Sequence, residues 1–179
     1  MNDIQNKDKI ENQSTEKLFF SNSDLNDSKI DKIVSDSLFN ADDGELYLEF
    51  CESESFVYDD QRLKSASFDV SKGFGLRAIS NESTGYAHSS DIDENSLKKA
   101  SNTVNFVTKG NAGSFNSSFN RTNKKLYHDI NPINSSLFSK KVETLKKIDE
   151  YARKQNPNVK QVSAALNGEW QVVRIYRPG

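Results

Sequence analysis

Three stretches of the chain carry apolar residues at the three- and four-residue spacing of an amphipathic helix. They cover residues 24–38, 93–108 and 136–154. The third stretch has the most regular spacing, and its cations lie on the remaining helix surface. Its predicted core stripe consists of Phe138, Val142, Leu145, Ile148 and Ala152.

Between the first two predicted helices the hydrophobic period changes to two, which is typical of a strand with one buried face. The alternating runs are residues 45–51, 56–58, 62–70, 73–80 and 84–88. In the third run Ala66, Phe68 and Val70 share one face. Short polar links separate the runs, and Asp59-Asp60 is the expected turn in their middle. The pattern predicts an antiparallel β-meander with one buried face.

A dipeptide near the C-terminus predicts a further hairpin. Asn167-Gly168 lies between two alternating runs, residues 159–166 and 170–176, and Asn-Gly in this setting is the strongest short-range hairpin signal. The second strand would leave an open edge over residues 169–177. We therefore expect an α+β fold, in which an antiparallel β-meander packed by helices is followed by a helix and a β-hairpin.

The same patterns divide the chain into four predicted segments. Residues 1–17 lack a hydrophobic period and predict a disordered tail. Residues 18–110 form an N-terminal α/β domain with the meander, residues 111–135 a linker and crossing segment, and residues 136–179 the helix and hairpin. The last three residues have the sequence of the beginning of a turn, so the chain ends earlier than this pattern predicts.

Composition excludes several classes of protein. No run of 18 apolar residues predicts a membrane-spanning helix, and the first twenty residues lack the basic and apolar regions of a signal peptide. The single cysteine, Cys51, cannot form an internal disulfide, which is typical of a reducing compartment. We therefore expect the protein in the cytoplasm.

The charge is unevenly distributed along the chain. Residues 1–60 carry 16 acidic and 5 basic residues, a net charge of −11, whereas residues 61–179 carry 10 acidic and 19 basic residues, a net charge of +9. Such asymmetry can mark a surface that binds nucleic acid. However, Glu143, Asp149 and Glu150 interrupt the cations of the third helix, which favours a solvated helix face docked on a sheet.

The residues that could carry chemistry are scattered. His88 and His128 are the only histidines, they fall in different predicted elements, and neither has a neighbour at metal-ligand spacing. Gly73-Phe74-Gly75 lacks the third glycine and the following helix of a phosphate loop. Cys51 lies among acidic residues, which disfavour a reactive thiolate, so a structural thiol is expected.

A group of carboxylates follows the first strands of the meander. It consists of Glu49, Glu52, Glu54, Asp59 and Asp60. These could act as an acid–base pair only if burial separated their pKa values, and a solvated strand face is the simpler interpretation. The residues alone therefore predict no catalytic, cofactor-binding or metal-binding position.

The meander resembles the N-terminal domain of the TldD/PmbA metallopeptidases. The matching segments are GELYLEF at 44–50, ESFVYDD at 54–60, GFGLRAI at 73–79 and TGYAH at 84–88. In that family a strand ending in Glu, an acidic turn, a G-x-G-hydrophobic-Arg strand and a Gly-aromatic-Ala strand follow in this order. Counterparts at 126–132 and 157–162 extend the resemblance to about residues 18–177, and it is closer to the TldD branch than to the PmbA branch.

The resemblance implies one half of a zinc peptidase. In the family the C-terminal domain carries an H-E-x-x-x-H helix with two histidine ligands and the general-base glutamate, and a cysteine ligand farther along. This chain contains no such motif, so no catalytic residue can be assigned and zinc is expected only in the complete family member. Asp60-Gln61 replaces the family's Asp-Gly turn, which a type I turn would tolerate.

The sequence leaves three alternative functions. The first is an N-terminal fragment of a TldD-type hydrolase in proteolysis, which contributes a cleft wall or dimer surface and is inactive alone. Its partners would be a separate C-terminal chain or a PmbA-type chain, with peptides or unfolded segments as substrates. The second is a non-enzymatic module that binds a peptide or protein. The third and weakest is a nucleic-acid binder that uses the basic second half.

Overall fold

The sheet and the helices confirm the α+β class. The computed structural model describes residues 15–21, 23–110, 113 and 130–178. The helices are α1 (Thr15–Phe20), α2 (Asp27–Ser37), α3 (Glu94–Thr108) and α4 (Phe138–Gln155), with a 3-10 turn at Ile133–Ser135. The strands are β1 (Asp43–Asp59), β2 (Arg62–Ser80), β3 (Ser83–Ser89) and β4 (Ser163–Tyr176). They form a four-stranded antiparallel sheet in the order β3-β2-β1-β4.

The described residues belong to two compact units, and β1, β2 and β4 contribute residues to both. The first unit is drawn from Met1–Phe50, Lys72–Asp129 and Val172–Gly179. The second is drawn from Cys51–Ser71 and Ile130–Gln171. The domain boundaries predicted after residues 17, 110 and 135 stay a prediction. None of the described helices is long and apolar enough to cross a membrane.

The first unit has its core between the sheet and two helices. Alternate residues of β1 and β2 face this core, as the period of two predicts, and they include Leu46, Leu48 and Leu76, each at most 1% exposed. Helix α2 supplies Ile30 and Val34, and α3 supplies Leu97 and Val104. The Ser37 hydroxyl donates to the Ser101 hydroxyl at 2.7 Å, which links the two helices inside this core.

Helix α1 includes the last three residues of the predicted tail. Residues 15–17, the last three of that segment, are helical, while residues 1–14 lie outside the described part of the chain. Phe19 and Phe20 are buried and their ring centroids lie 6.0 Å apart. Burial of this aromatic pair stabilises a helix that is too short to form by propensity alone.

The meander has fewer and longer strands than its sequence predicts. The runs 45–51 and 56–58 both lie in β1, and the runs 62–70 and 73–80 both lie in β2. The polar residues between the first two runs stay in the strand because their side chains have partners, as Glu52 has in Asn131 and Glu54 in Lys141. A polar side chain that has a hydrogen-bond partner can remain in a partly buried strand.

The turn between β1 and β2 differs from the predicted type I turn and lies one residue later than Asp59-Asp60. Its central residues are Asp60 and Gln61, with φ angles of 46° and 66°. Positive φ at both positions defines a type I′ turn, which matches the twist of a two-residue hairpin and favours glycine. Glutamine at the second position is therefore strained, by about 1–2 kcal/mol.

Replacing this glutamine tests the turn. We expect Gln61→Gly to raise the free energy of unfolding by about 0.5–1 kcal/mol, because relief of the left-handed strain exceeds the added entropy of glycine. Urea denaturation followed by circular dichroism measures the change. The matched control is Gln171→Gly in the exposed middle of β4, which should lower the stability by a similar amount. A loss of stability in both variants would contradict the assigned turn.

The predicted C-terminal hairpin is wrong. Residues 163–176 form the single strand β4, and Asn167-Gly168 lies inside it. The preceding Val162 carbonyl accepts a hydrogen bond from Asp60 N at 2.9 Å, which sets β4 beside β1. A Cβ on Gly168 would lie 3.1 Å from Glu54 Cγ, so this glycine allows close packing between strands. Pairing along a long neighbouring strand therefore outweighs the local turn signal, and β4 is an outer strand of the described sheet.

The end of β4 is fastened to the first turn of α2. The Tyr176 hydroxyl donates to Asp27 Oδ1 at 2.6 Å, and Arg174 Nη2 donates to Asp27 Oδ2 at 3.0 Å. The hydrogen bond from Tyr176 lowers the pKa of Asp27; burial opposes this effect, and the hydrogen bond and charge of Arg174 lower the pKa further. The guanidinium of Arg174 also lies 5.0 Å from the centroid of the Tyr176 ring.

This contact predicts an acid-dependent stability. Because the pKa of Asp27 is lowered by folding, its contribution is present above the unfolded value of about 3.9 and is lost as the pH falls through the folded value. Tyr176→Phe should cost about 1 kcal/mol near neutral pH, and this cost should shrink below about pH 4. Urea titrations at neutral pH and below about pH 4 measure this cost, with Tyr151→Phe at an exposed position of α4 as the control. A cost that does not change with pH would contradict the assignment.

Candidate binding surface

The residues that the sequence singled out for chemistry do not converge. His88 is exposed on β3, with its ring 5.8 Å from that of Tyr86. Cys51 is half-buried, and its sulfur lies 3.9 Å from the carbonyl oxygen of Glu52. A Cβ on Gly73 would lie 2.8 Å from the Ser89 carbonyl oxygen, so this glycine allows close strand packing. His128 lies outside the described residues.

A zinc site does not fit the side chains that the structure describes. Zinc in proteins is held mainly by histidine nitrogen and cysteine sulfur, with three or four ligands close together. Within residues 15–21, 23–110, 113 and 130–178, no three histidine, cysteine, aspartate or glutamate side chains come together as a possible metal site. No chemical step through zinc is therefore assigned to this part of the chain.

The five carboxylates are each held by a separate partner. The contacts are Glu49 with Tyr47 at 2.6 Å, Glu52 with Asn131, Glu54 with Lys141 at 2.6 Å, Asp59 with Gln161 at 2.9 Å, and Asp60 with Arg153 at 2.6 Å. The hydrogen bond to Glu49 raises the pKa of Tyr47 to about 12, with a smaller contribution from burial. The expectation of a solvated face is wrong for Glu54, whose side chain is 9% exposed.

Lys141 forms a buried ion pair at the centre of the second unit. Its ammonium donates to both carboxylate oxygens of Glu54 and to the carbonyl oxygen of Ile133, each at 2.6 Å. It also lies 5.7 Å from the centroid of the Phe56 ring. An ammonium has three donors, and these three contacts use all of them. Sequence reasoning placed Lys141 among the surface cations of α4 and missed this pair.

The buried face of α4 is rotated from the predicted one. Leu145 is 1% exposed and packs with Phe56 and Tyr58, but Phe138 and Ile148 of the predicted stripe are 56% and 47% exposed. The other buried residues of the helix are Lys141 and Asp149, which lie four residues to either side of Leu145. The four-residue spacing of Lys141, Leu145 and Asp149 was the sequence signal for the buried face of α4, and hydrophobicity did not identify this face.

A second buried charge lies near the end of α4. Asp149 is 1% exposed, and its Oδ2 accepts a hydrogen bond from Arg153 Nε at 3.0 Å. Arg153 also donates to Asp60 at 2.6 Å and to the Lys160 carbonyl at 3.3 Å. Asp149 Oδ1 has no hydrogen-bond partner within the described part of the chain. These contacts connect α4 to the turn between β1 and β2. They also pair the guanidinium of Arg153 with two carboxylates.

An apolar cavity of about 410 Å³ opens in the second unit. Its apolar walls are Phe56, Ala66, Phe68, Ile133, Leu137 and Phe138. The rings of Phe56 and Phe138 pack at 5.5 Å between centroids and an angle of 59°. The Lys141–Glu54 pair also borders the cavity. The lining of this cavity is therefore mainly apolar, and Ser67, Asn134 and Ser136 are its other polar residues.

Comparison with known proteins decides the family. Residues 44–104 match the domain described as PmbA/TldA metallopeptidase domain 1. The metalloprotease TldD homolog of Haemophilus influenzae is 34% identical over 139 residues, which cover 76% of this chain and 29% of that protein. The chain belongs to the TldD/PmbA family. The TldD homolog of Buchnera aphidicola subsp. Schizaphis graminum, 28% identical over 137 residues, covers 76% of this chain and 28% of its own length.

Solved structures of TldD/PmbA-like proteins share the fold. TldE from Thermococcus kodakarensis superposes with a TM-score of 0.54 at 18% identity, covering 82% of this chain and 34% of that one. A protein from Bacteroides thetaiotaomicron described as a modulator of DNA gyrase gives a TM-score of 0.58 at 14% identity, covering 84% and 36%. The matched part is therefore less than a third of the TldD homologs and about a third of these structures.

Proposed function

We propose that the chain is the N-terminal part of a TldD-type zinc metallopeptidase, and that it contributes a wall of the substrate cleft or a dimer surface. The observation that carries this proposal is the match to the family's first domain over less than a third of the length of the TldD homologs. The zinc ligands and the catalytic base would come from a domain outside the 179 residues.

The substrates would be peptides or unfolded protein segments. An extended peptide can bind by adding a strand to the edge of a sheet, and residues 169–177 at the outer strand β4 are one candidate edge. The partner would be a separate C-terminal chain or a PmbA-type chain. The single cysteine supports placing this assembly in the cytoplasm.

The alternative is a peptide- or protein-binding module without enzymatic activity. The apolar cavity favours it, because a cavity of this kind binds without any catalytic group. For nucleic-acid binding the structure offers less support. Lys141, Lys147 and Arg153 of the basic helix are each paired with carboxylates, which reduces the charge available to phosphates.

Assays on the chain alone test whether zinc binding and peptide cleavage require a domain outside it. We expect the purified 179-residue chain to leave a fluorogenic peptide mixture uncleaved with or without added zinc. We also expect it to retain no stoichiometric zinc after dialysis, measured by atomic emission. Tightly bound zinc at one ion per chain, together with peptide cleavage, would contradict the proposal.

A further inference from the structure

The dipeptide Asn167-Gly168, which does not form the predicted turn, is chemically reactive. The side-chain amide carbon of an asparagine can be attacked by the backbone nitrogen of the next residue, and glycine hinders this attack least because it has no side chain. Asn167 is exposed in the middle of β4, and Gly168 is half-buried. Because the side chains do not prevent the reaction, the backbone conformation of β4 decides whether it occurs.

Strand β4 keeps the two reacting atoms out of alignment. In extended backbone Gly168 N is not positioned for ring closure on Asn167 Cγ, and it reaches this carbon only after rotation about ψ of Asn167 out of the β region. Gly168 also packs closely on β1, where a Cβ placed on it would lie 3.1 Å from Glu54 Cγ. The rotation would break this packing, so the reaction requires that β4 first separates locally from β1.

The strand is fastened on both sides of Asn167. Before β4, the Val162 carbonyl accepts a hydrogen bond from Asp60 N at 2.9 Å. At its end, the Tyr176 hydroxyl donates to Asp27 Oδ1 at 2.6 Å. The alternation of side chains between the two sheet faces fixes which of them face the sheet along the strand. An extra backbone atom at residue 167 would therefore disturb this alternation for the rest of β4.

A new negative charge at residue 167 would also be unfavourable. Asn167 lines a surface depression of about 350 Å³ together with Glu54, Asp69 and Glu169. None of the residues that line this depression in the described part of the chain is basic. A carboxylate in place of the neutral amide would therefore increase the electrostatic repulsion there.

We propose that Asn167-Gly168 is a site of spontaneous deamidation that the pairing of β4 with β1 suppresses. When β4 separates, Gly168 N forms a bond to Asn167 Cγ, the Cγ–Nδ2 bond breaks, and ammonia leaves with the proton of Gly168 N. Water then opens the succinimide ring. Its addition at the backbone carbonyl carbon of residue 167 breaks the bond from that carbon to Gly168 N and gives isoaspartate, whereas its addition at Cγ gives aspartate.

The isoaspartate product does not fit β4. It continues the chain through Cγ, which inserts one extra atom into the backbone between the two fastened ends of the strand, and it adds a charge to the acidic depression. A chain whose β4 stays separated is therefore converted irreversibly into a form that does not rebuild the strand. This proposal rests on β4 alone and holds for either proposed function.

Ageing of the native and the unfolded chain tests the protection by β4. The 179-residue chain is held at mildly alkaline pH in buffer and in denaturing guanidinium chloride. Mass spectrometry of the proteolytic peptide that contains residue 167 measures deamidation, and enzymatic methylation identifies isoaspartate. We expect the native chain to react slower by about tenfold or more, because only locally opened molecules react. Equal rates, or no conversion of Asn167 in the denaturant, would overturn the proposal.

Refolding of the aged chain tests the consequence. Trp170 is the only tryptophan and lies half-buried in β4, so its fluorescence reports on the strand. We expect chains that contain isoaspartate to lose the native Trp170 emission after removal of the denaturant, whereas unaged chains recover it. Recovery of the native emission by the isoaspartate-containing chains would overturn the proposal.

Two substitutions provide the matched controls. Asn167→Gln keeps an exposed side-chain amide but cannot close a five-membered ring, so it should recover the native Trp170 emission after the same ageing. An equal loss in this variant would assign the damage to other residues and overturn the proposal. Asn167→Asp reproduces the second product with an unaltered backbone. It should refold with a lower urea midpoint, and its failure to refold would overturn the role assigned to the extra backbone atom.

Discussion

Replacing Lys141 by methionine will lower the free energy of unfolding by about 3–5 kcal/mol, because it leaves a buried carboxylate without its counter-charge. The side chains of Lys141 and Glu54 are only 10% and 9% exposed. The same substitution removes the donor to the Ile133 carbonyl and the cation near the Phe56 ring. Urea denaturation followed by circular dichroism measures the loss.

Two further variants assign the loss to the buried charge. Removing both charges in Glu54→Leu with Lys141→Met should recover most of the stability, since an apolar replacement of a buried ion pair is often neutral. The matched control is Lys147→Met on the same helix. Its partner Glu143 lies at 2.7 Å, but the two side chains are 69% and 57% exposed, so the expected change is within about 0.5 kcal/mol. Equal losses at positions 141 and 147 would contradict the buried pair.

Truncating Leu145 to alanine should cost about 2–5 kcal/mol, because it leaves a cavity in the core of the second unit. Leu145 is 1% exposed and packs in a cluster with Phe56 and Tyr58. Partly buried Val142, Ala164 and Leu166 surround this cluster. Loss of the leucine side chain therefore removes contacts with both the helix and two strands. The same urea titration measures it.

The control for this truncation lies three residues away on the same helix. Ile148→Ala should change the stability by less than about 1 kcal/mol, because Ile148 is 47% exposed and alanine has the higher helix propensity. The sequence pattern predicts both residues to be in the core, so the pair of variants also tests the orientation of α4. A larger loss of stability at Ile148 than at Leu145 would contradict the orientation of α4, because it would place Ile148 in the core.

Local periodicity was sufficient for the positions of the long helices and the fold class. The predicted helix at 93–108 differs from α3 by one residue, and that at 136–154 overlaps α4 closely. The face that α4 buries could not be predicted in the same way. Hydrophobicity counts Lys141 and Asp149 as surface residues, whereas partners in distant parts of the chain, Glu54 among them, allow their burial.

The strands show where tertiary contacts outweigh local signals. Asn167-Gly168 has the sequence of a hairpin turn, but a long neighbouring strand offers β4 more hydrogen bonds than a turn would allow. The polar interruption at residues 52–55 likewise stays within β1. Neither outcome is encoded within the ten or so residues that a local pattern covers. The pairing partners that decide them are distant in sequence.

The apolar cavity was the feature least accessible from the sequence. Its walls come from β1, β2, the segment before α4 and the first turn of α4, so no single stretch contains its pattern. The alternation of Ala66, Phe68 and Val70 was visible, but it was interpreted as a buried face. What the sequence did contain was the family resemblance, and this predicted the fold more directly than any periodicity.

Reconstitution of peptidase activity tests the central claim most directly. The 179-residue chain is mixed with zinc and with the part of the Haemophilus influenzae TldD homolog that lies outside the matched region, and hydrolysis of a fluorogenic peptide is measured. The homolog's own matched segment serves as the positive control. We predict that both segments restore cleavage while neither is active alone. Restoration by the homolog's segment but not by this chain would contradict the claim that it serves as the first domain of a TldD-type peptidase.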